Sequence, residues 1–173
     1  MTAPSDYHSP LTETELRNCD LLRQELELIL QAAGDGIYGL DASGKCTFAN
    51  RAATEILGWQ QDDVIGKTVH SLHHHTHPDG RPYPQQDCPI YAAFKDGKTR
   101  HVDDEVFWKA DGTCIPVEYT STPIFDRGKL CGAVVVFKDV TERKRAEQEL
   151  QQAYAELTRM KKRLEDENTY LQE

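Results

Sequence analysis

The sequence contains no apolar run that approaches the roughly 18 residues needed to cross a membrane. It also lacks the charged and then apolar segment that would act as a secretory signal peptide at its start. These two absences predict a soluble, cytoplasmic chain with no membrane partner, although a larger parent protein could still be anchored in a membrane.

Basic residues are also scarce for a protein that would bind nucleic acid. The 173 residues include 20 Lys and Arg against 29 Asp and Glu, which gives a formal net charge of −9. Binding to a phosphate backbone requires clustered positive charge, so the composition argues against direct contact with nucleic acid. The five cysteines form no C-x-x-C pair, and their odd number predicts free thiols in a reducing compartment.

Motifs of common catalytic sites are missing as well. The sequence has no nucleophile elbow, no phosphate-binding P-loop and no metalloprotease helix, so no enzymatic activity is predicted. One predicted strand does carry several ionisable groups. Strict alternation places His101, Asp103 and Glu105 on one face of it, and Val102 and Asp104 on the other. We interpret this segment as a solvated or ion-paired strand.

The chain divides into three parts, of which the first spans residues 1–33. A polar leader precedes a segment whose apolar residues recur at intervals of three and four, which is typical of an amphipathic helix. Thr12 and Glu15 have the spacing of a capping box, and Gly34 is predicted to end the helix. The apolar positions are Cys19, Leu22, Leu26, Ile29 and Ala33.

The second part, residues 34–140, alternates short strands with turns and short helices. Asn50 is predicted to cap a helix that ends at Gly58. The proline-rich stretch from His77 to Pro89 is predicted to be a loop. The predicted strands are 37–40, 46–49, 100–108, 113–121 and 130–137, and further short helices are predicted over 62–64 and 90–95.

The third part, residues 141–173, contains neither glycine nor proline. Its apolar residues recur at alternating intervals of four and three and form the a/d seam of close to four heptads, with Glu167 at the one seam position that is not apolar. Such a sharp apolar stripe needs a cover, so we expect a parallel homodimeric coiled coil in preference to an isolated helix. The seam residues are Ala146, Leu150, Ala153, Leu157, Met160, Leu164 and Leu171.

Six short stretches follow one another in the order expected of a known family. They are 36–41 (GIYGLD), 48–53 (FANRAA), 56–59 (ILGW), 64–67 (VIGK), 108–113 (WKADGT) and 139–143 (DVTER). Together they resemble the PAS domain family over about residues 34–143. The resemblance implies an α+β PAS fold, in which a five-stranded antiparallel sheet carries short helices on one face, flanked by an N-terminal amphipathic helix and a C-terminal coiled-coil helix. It also implies a sensor or dimerisation module.

The end of the chain carries a second resemblance. Residues 163–173 are similar to the linker that precedes the ATPase domain of sigma-54-dependent transcriptional activators. A sensor histidine kinase is the competing type of parent protein, because units of a PAS domain and a coiled coil occur in both. The chain ends inside a predicted helix, so we expect a fragment whose effector domain, for transcription regulation, follows Glu173.

Five histidines fall within eight residues, just before a loop that ends at Cys88. Neutral imidazole and thiolate are good ligands of zinc, copper and heme iron. His70 and His74 would share one face of a helix, as would His73 and His77, whereas an extended chain would place His73, His75 and His77 on one side. The candidate metal ligands are His70, His73, His74, His75, His77 and Cys88.

The PAS resemblance implies a ligand pocket between the short helices and the sheet, where this cluster lies. Residues 69–73 are similar to the heme-binding segment of carbon-monoxide-sensing PAS regulators, and Cys88-Pro89 resembles a Cys-Pro heme motif. If heme binds, we expect His73 to be the axial ligand, with His74 or Cys88 as its partner. The signal would then be a gas or a redox change.

Several alternatives to heme stay open at this point. The histidines could anchor the loop through backbone carbonyls, they could hold a different transition metal, or the pocket could take a small organic ligand. Trp108 could line the pocket of a flavin, or it could pack in the core. A PAS domain without a cofactor would serve only as a scaffold for dimerisation and signal relay.

Asp139 and Thr141 lie where the last predicted strand becomes the final helix. We predict that these two residues transmit the signal to the coiled coil, since a ligand acts by biasing one of two helix arrangements. Thr141 with Glu142 could equally form a simple helix N-cap, and the two roles are compatible.

Overall fold

The computed structural model describes residues 12–170, and side chains as far as Glu167. The first eleven residues, which include the predicted polar leader, and the seam position Leu171 lie outside the described residues. The helices are α1 (Glu13–Ala32), α2 (Arg51–Leu57), α3 (Gln61–Val64), α4 (Val69–His73), α5 (Pro89–Asp96) and α6 (Thr141–Tyr170). The strands are β1 (Gly36–Asp41), β2 (Cys46–Ala49), β3 (Arg100–Trp108), β4 (Cys114–Asp126) and β5 (Lys129–Asp139), and a 3₁₀ turn covers Gln85–Asp87.

The five strands form one antiparallel sheet in the order β2-β1-β5-β4-β3. Side chains of α2, α4 and α5 pack with the strands into one core cluster, so the predicted α+β fold is confirmed. Burial of each large apolar side chain contributes about 1.5–3 kcal/mol relative to its exposure. The aromatic centre of this core consists of Tyr38, Phe94, Phe107, Tyr119 and Phe137.

The predicted elements agree with the structure except at their ends. Strands β2 and β3 have the predicted bounds, whereas β4 extends beyond residue 121 to Asp126. The extension arises because Thr122 continues the pairing with Val134 of β5, and Asp126 closes it opposite Lys129. Among residues 12–170, no helix is both long and apolar enough to cross a membrane.

Asn50 caps α2 as predicted and also joins three segments of the fold. Its Oδ1 accepts hydrogen bonds from the backbone N–H of Ile37 at 2.8 Å and of Ala53 at 2.9 Å. Its Nδ2 donates to the carbonyl oxygens of Leu30 at 3.0 Å and Asp35 at 2.9 Å. The fully buried amide is therefore satisfied on both sides, and it fixes the end of α1 and the start of α2 against β1.

A bulge in β3 contradicts the predicted alternation of that strand. Val102 pairs with Tyr119 and Glu105 pairs with Val117, so β3 has one residue more than β4 between these two pairs. One extra residue reverses which face the following side chains occupy. Glu105 consequently points towards the core on the same face as Val102, while Asp103 stays exposed. The prediction that Glu105 lies on the same face as His101 and Asp103 was wrong.

Candidate ligand-binding site

The short helix α4 decides which of the clustered histidines lie together. The N–H of His74, which follows the last residue of α4, donates to the carbonyl of His70 at 3.2 Å, so this pair has the helical i, i+4 arrangement. Cys88 lies opposite, at the N-terminal cap of α5. His74 is 1% exposed and Cys88 is 2% exposed, so both residues lie inside the core.

His74 is held between a thiol and a carboxylate. Its Nδ1 lies 3.1 Å from Cys88 Sγ. On the other side of the ring, Nε2 lies 2.6 Å from Glu105 Oε2, a close contact without the alignment of a hydrogen bond. Because the carboxylate is an acceptor, we assign the ring proton to Nε2, which leaves the Nδ1 lone pair directed towards Cys88.

The carboxylate of Glu105 is the charge at the centre of the site. It accepts hydrogen bonds from the hydroxyls of Tyr83 and Tyr119, both at 2.7 Å. Burial by itself would raise the pKa of Glu105, but His74 and the two hydroxyls outweigh that effect and the pKa is lowered. Burial and the neighbouring carboxylate raise the pKa of both tyrosines, so their hydroxyls remain donors.

His70 and Cys88 complete the site. Nε2 of His70 donates to the carbonyl oxygen of Tyr83 at 2.8 Å, while its buried Nδ1 has no hydrogen-bond partner. Burial is the main cause of the lowered pKa of His70, which favours the neutral ring. Burial also raises the pKa of the Cys88 thiol to about 11. One ligand atom from each of His70, His74 and Cys88 lies within 4.8 Å of the other two.

The remaining predicted metal ligands lie elsewhere. The ring of His73 packs against Phe107, with ring centroids 4.3 Å apart, and not against Cys88. His75 stacks on Trp108 at 5.9 Å, and His77 stacks on the ring of Tyr83 at 4.2 Å. The structure thus brings together three of the six predicted ligands, and the other three contact aromatic rings.

His73 borders a small cavity under α2 and α4, with Tyr38 and Trp59 among the other lining residues. The cavity volume is about 20 Å³, which suits roughly one water molecule. Pockets for drug-sized ligands occupy about 300–1,000 Å³, so a porphyrin does not fit beside His73 in this conformation. Heme therefore stays a prediction that the geometry of the cavity does not favour.

Trp108 is a half-buried anchor of the loop that follows α4. Its indole N–H donates to the carbonyl oxygen of Thr76 at 2.7 Å, and it is not among the residues that line the cavity. Its predicted role in cofactor binding stays a prediction.

Sequence reasoning missed three residues of the site, namely Tyr83, Glu105 and Tyr119. The spacing of β3 carries no visible sign of its bulge, because a single extra residue leaves the composition of a strand unchanged. Tyr83 stands in the predicted loop and Tyr119 in a predicted strand, and only the tertiary fold brings their hydroxyls to one carboxylate.

At the junction between β5 and α6, Thr141 is the first residue of the helix, so the capping side chain is that of Asp139 and not the expected pair Thr141 and Glu142. Oδ1 of Asp139 accepts hydrogen bonds from the backbone N–H of Thr141 at 2.8 Å and from the Thr141 hydroxyl. Two ion pairs then tie the first turn of α6 to the sheet. Lys144 Nζ lies 2.7 Å from Asp104 Oδ1 of β3, and an Arg143 guanidinium nitrogen lies 2.8 Å from Glu118 Oε2 of β4.

The fold, the buried site and the tethered C-terminal helix define a sensory signalling module. The chain belongs to the PAS fold family, whose family model matches residues 24–140. Its resemblance to that family is thereby confirmed. A solved PAS domain of an HTR-like protein from Haloarcula marismortui has a TM-score of 0.59 at 16% identity, and covers 74% of this chain and 99% of its own.

Two curated relatives carry the same region. The signal transduction histidine-protein kinase AtoS of Escherichia coli (strain K12) is 30% identical over 128 residues, which is 73% of this chain and 20% of AtoS. The transcriptional activator RocR of Bacillus subtilis (strain 168) is 25% identical over 130 residues, 75% of this chain and 27% of RocR. The chain thus spans only about a quarter or less of each of these relatives.

His73 provides a test of the buried site by substitution and pH. Neither ring nitrogen of His73 has a hydrogen-bond partner, and burial, reinforced by His74, holds the pKa of His73 well below its usual range. Unfolded His73 binds a proton below pH ~6.5 and folded His73 does not. The wild type therefore loses stability as the pH falls through that value, by up to about 1.4 kcal/mol per pH unit.

We expect His73→Leu to raise the free energy of unfolding by about 1–3 kcal/mol at pH 7 and to reduce the loss between pH 7 and pH 5. Urea unfolding at both pH values measures the two effects. The exposed His101, substituted in His101→Gln, is the control and should retain the wild-type pH dependence. If His73→Leu kept the wild-type pH dependence, or were less stable than the wild type at pH 7, the conclusion that the buried His73 ring is neutral and unpartnered would be contradicted.

Proposed function

We propose that this PAS module senses a ligand at the buried cluster of His70, His74, Cys88 and Glu105 and transmits the change through α6 to an effector domain. The observation that carries the proposal is the position of two adjacent residues in the β3 bulge. Glu105 belongs to the buried cluster, and Asp104 pairs with Lys144 on α6 at 2.7 Å. One peptide unit therefore separates the sensing group from a contact with the output helix.

The polar content of the cluster supports sensing over a pure scaffold. A buried polar atom without a partner costs about 1–3 kcal/mol, and His70 carries such an atom. A module that served only for dimerisation would gain stability from an apolar core at this place. A ligand that bonded the unpartnered nitrogen would remove this cost. That gain is the differential affinity by which a ligand can shift the conformation of the domain.

A second candidate ligand is a small organic molecule in the cavity beside His73. Three lining residues have buried polar atoms without partners, namely the Tyr38 hydroxyl, the Trp59 indole nitrogen and both His73 nitrogens. They could hydrogen-bond a polar ligand, but the cavity must first enlarge. A heme bound through His73 would likewise require α2 and α4 to move so that the cavity enlarges.

Transmission through α6 requires a partner helix, and the exposed apolar stripe supports a parallel homodimer. Leu150 is 72% exposed and Leu157 is 65% exposed, and Met160 and Leu164 continue the same seam. In α1, Leu22, Leu26 and Ile29 are likewise exposed. A parallel arrangement places both copies of α6 side by side, so that two effector domains would follow at the same end.

The effector is proposed from the relatives, one of which is a histidine kinase and the other a transcriptional activator. Transcription regulation or a two-component kinase is therefore the proposed output. The net charge of −9 makes direct binding of this region to nucleic acid unfavourable, so contact with DNA would belong to the effector.

Introducing charge into the apolar seam of α6 tests the proposed dimer. Light scattering at tens of micromolar should give the mass of two chains for the wild type. Leu150→Lys with Leu157→Lys should give the mass of one chain, because like charges would face each other across the seam. Ala155→Lys adds one such charge on the outer side of the helix and should remain dimeric. A monomeric wild type would overturn the dimer.

Amide hydrogen exchange tests the coupling of Glu105 to α6. Glu105→Gln removes the charge that Tyr83, Tyr119 and His74 surround, so the bulge should loosen and the amides in the first two turns of α6 should exchange several-fold faster. Asp103→Asn alters an exposed carboxylate two residues away and should leave exchange in α6 unchanged. Equal exchange rates in α6 for Glu105→Gln and the wild type would refute the coupling.

A further inference from the structure

We propose that His70, His74 and Cys88 form a binding site for one Zn²⁺ ion or a similar late d-block divalent cation. The proposal deepens the proposed function, on which it rests for the role of the ion as a signal, by naming the class of ligand. The binding of the ion is itself a property of the buried cluster and is measured separately from any response of α6.

The spacing of the three ligand atoms is close to that of a tetrahedral site. One nitrogen of each histidine and the sulfur of Cys88 lie within 4.8 Å of one another. Zn–N distances of about 2.0–2.1 Å and Zn–S distances of about 2.3 Å place tetrahedral ligand atoms roughly 3.3–3.6 Å apart. Side-chain rotations that move the ligand atoms by about an ångström would therefore close the site around an ion.

Both histidines are already oriented by a second group, as metal ligands usually are. His74 has its Nε2 against Glu105 at 2.6 Å, and His70 donates from Nε2 to the carbonyl of Tyr83 at 2.8 Å. In each case the occupied nitrogen is Nε2, which leaves Nδ1 for the ion. A carboxylate or carbonyl in this position fixes the tautomer and raises the basicity of the ligating nitrogen.

The unpartnered Nδ1 of His70 is independent evidence for a ligand. It is buried and has no hydrogen-bond partner, although its ring is held in place from the other side. The neighbouring contact between His74 Nδ1 and Cys88 Sγ, at 3.1 Å, points the second and third donors at the same space. A cation placed among them would bind the unpartnered nitrogen and replace that contact by two metal–ligand bonds.

The donor set determines the class of ion. Two imidazole nitrogens and one thiolate suit Zn²⁺ and similar borderline cations, whereas Ca²⁺ and Mg²⁺ require oxygen ligands. On binding, the Cys88 thiol releases its proton to solvent and binds as a thiolate. No redox partner is needed because Zn²⁺ has no redox chemistry. Three protein ligands leave a fourth position for water or for an external donor.

Cobalt(II) is the probe, because tetrahedral Co²⁺ absorbs strongly in the visible range and a thiolate ligand adds a near-ultraviolet charge-transfer band. We expect one Co²⁺ per chain, displaced by one Zn²⁺. Cys88→Ser should lose the charge-transfer band, and Glu105→Gln should bind about 10–100-fold more weakly through loss of the orienting carboxylate. The matched controls are Cys46→Ser, at another buried thiol, and His75→Gln, at a neighbouring histidine.

Both control variants should bind Co²⁺ like the wild type. Circular dichroism of Cys88→Ser and His74→Gln without metal establishes that these variants fold, and their melting temperatures should not rise with Zn²⁺, unlike that of the wild type. Absence of the thiolate band in the wild type would overturn the proposal, and so would its loss in Cys46→Ser. These outcomes test metal binding alone. The proposed signalling function would instead be overturned by a monomeric mass in light scattering or by unaltered amide exchange in α6.

Discussion

The carboxylate of Glu105 is half-buried at a point where three different segments reach it. Removing a carboxylate from water costs several kcal/mol unless it is paired. Here the Tyr83 hydroxyl from the loop, the Tyr119 hydroxyl from β4 and His74 after α4 provide that compensation. Because the half-buried charge keeps these three partners, it fixes where each segment lies. It thereby also holds His74 against Cys88, and the proposed ion site depends on this contact.

The bulge in β3 links this half-buried charge to the outside of the domain. It turns Glu105 inward and leaves the adjacent Asp104 at the surface, where it meets Lys144 of α6. An exposed ion pair contributes at most about 1 kcal/mol, so this pair alone cannot determine where α6 lies. In the proposed coupling, the backbone of the bulge carries the displacement, and the ion pairs of Lys144 and Arg143 transfer it to the first turn of the helix.

Local sequence patterns predicted those features of the fold that depend on residues close together in the chain. The capping box of α1, the role of Asn50 and the bounds of β2 and β3 follow from spacing over a few residues, and all are present in the structure. The histidine pair His70 and His74 was one of three groupings left open, two helical and one extended, because a helix as short as α4 has too few turns to show a period. Glu105 escaped prediction since its environment is created by a bulge and by tyrosines distant in the chain.

The coupling between the buried cluster and α6 is tested most directly by amide hydrogen exchange in the presence and absence of saturating Zn²⁺. Coupling predicts that Zn²⁺ changes the exchange rates of the first two turns of α6 in the wild type and leaves them unchanged in Cys88→Ser. Stoichiometric binding of Zn²⁺ to the wild type with identical exchange throughout α6 would contradict it.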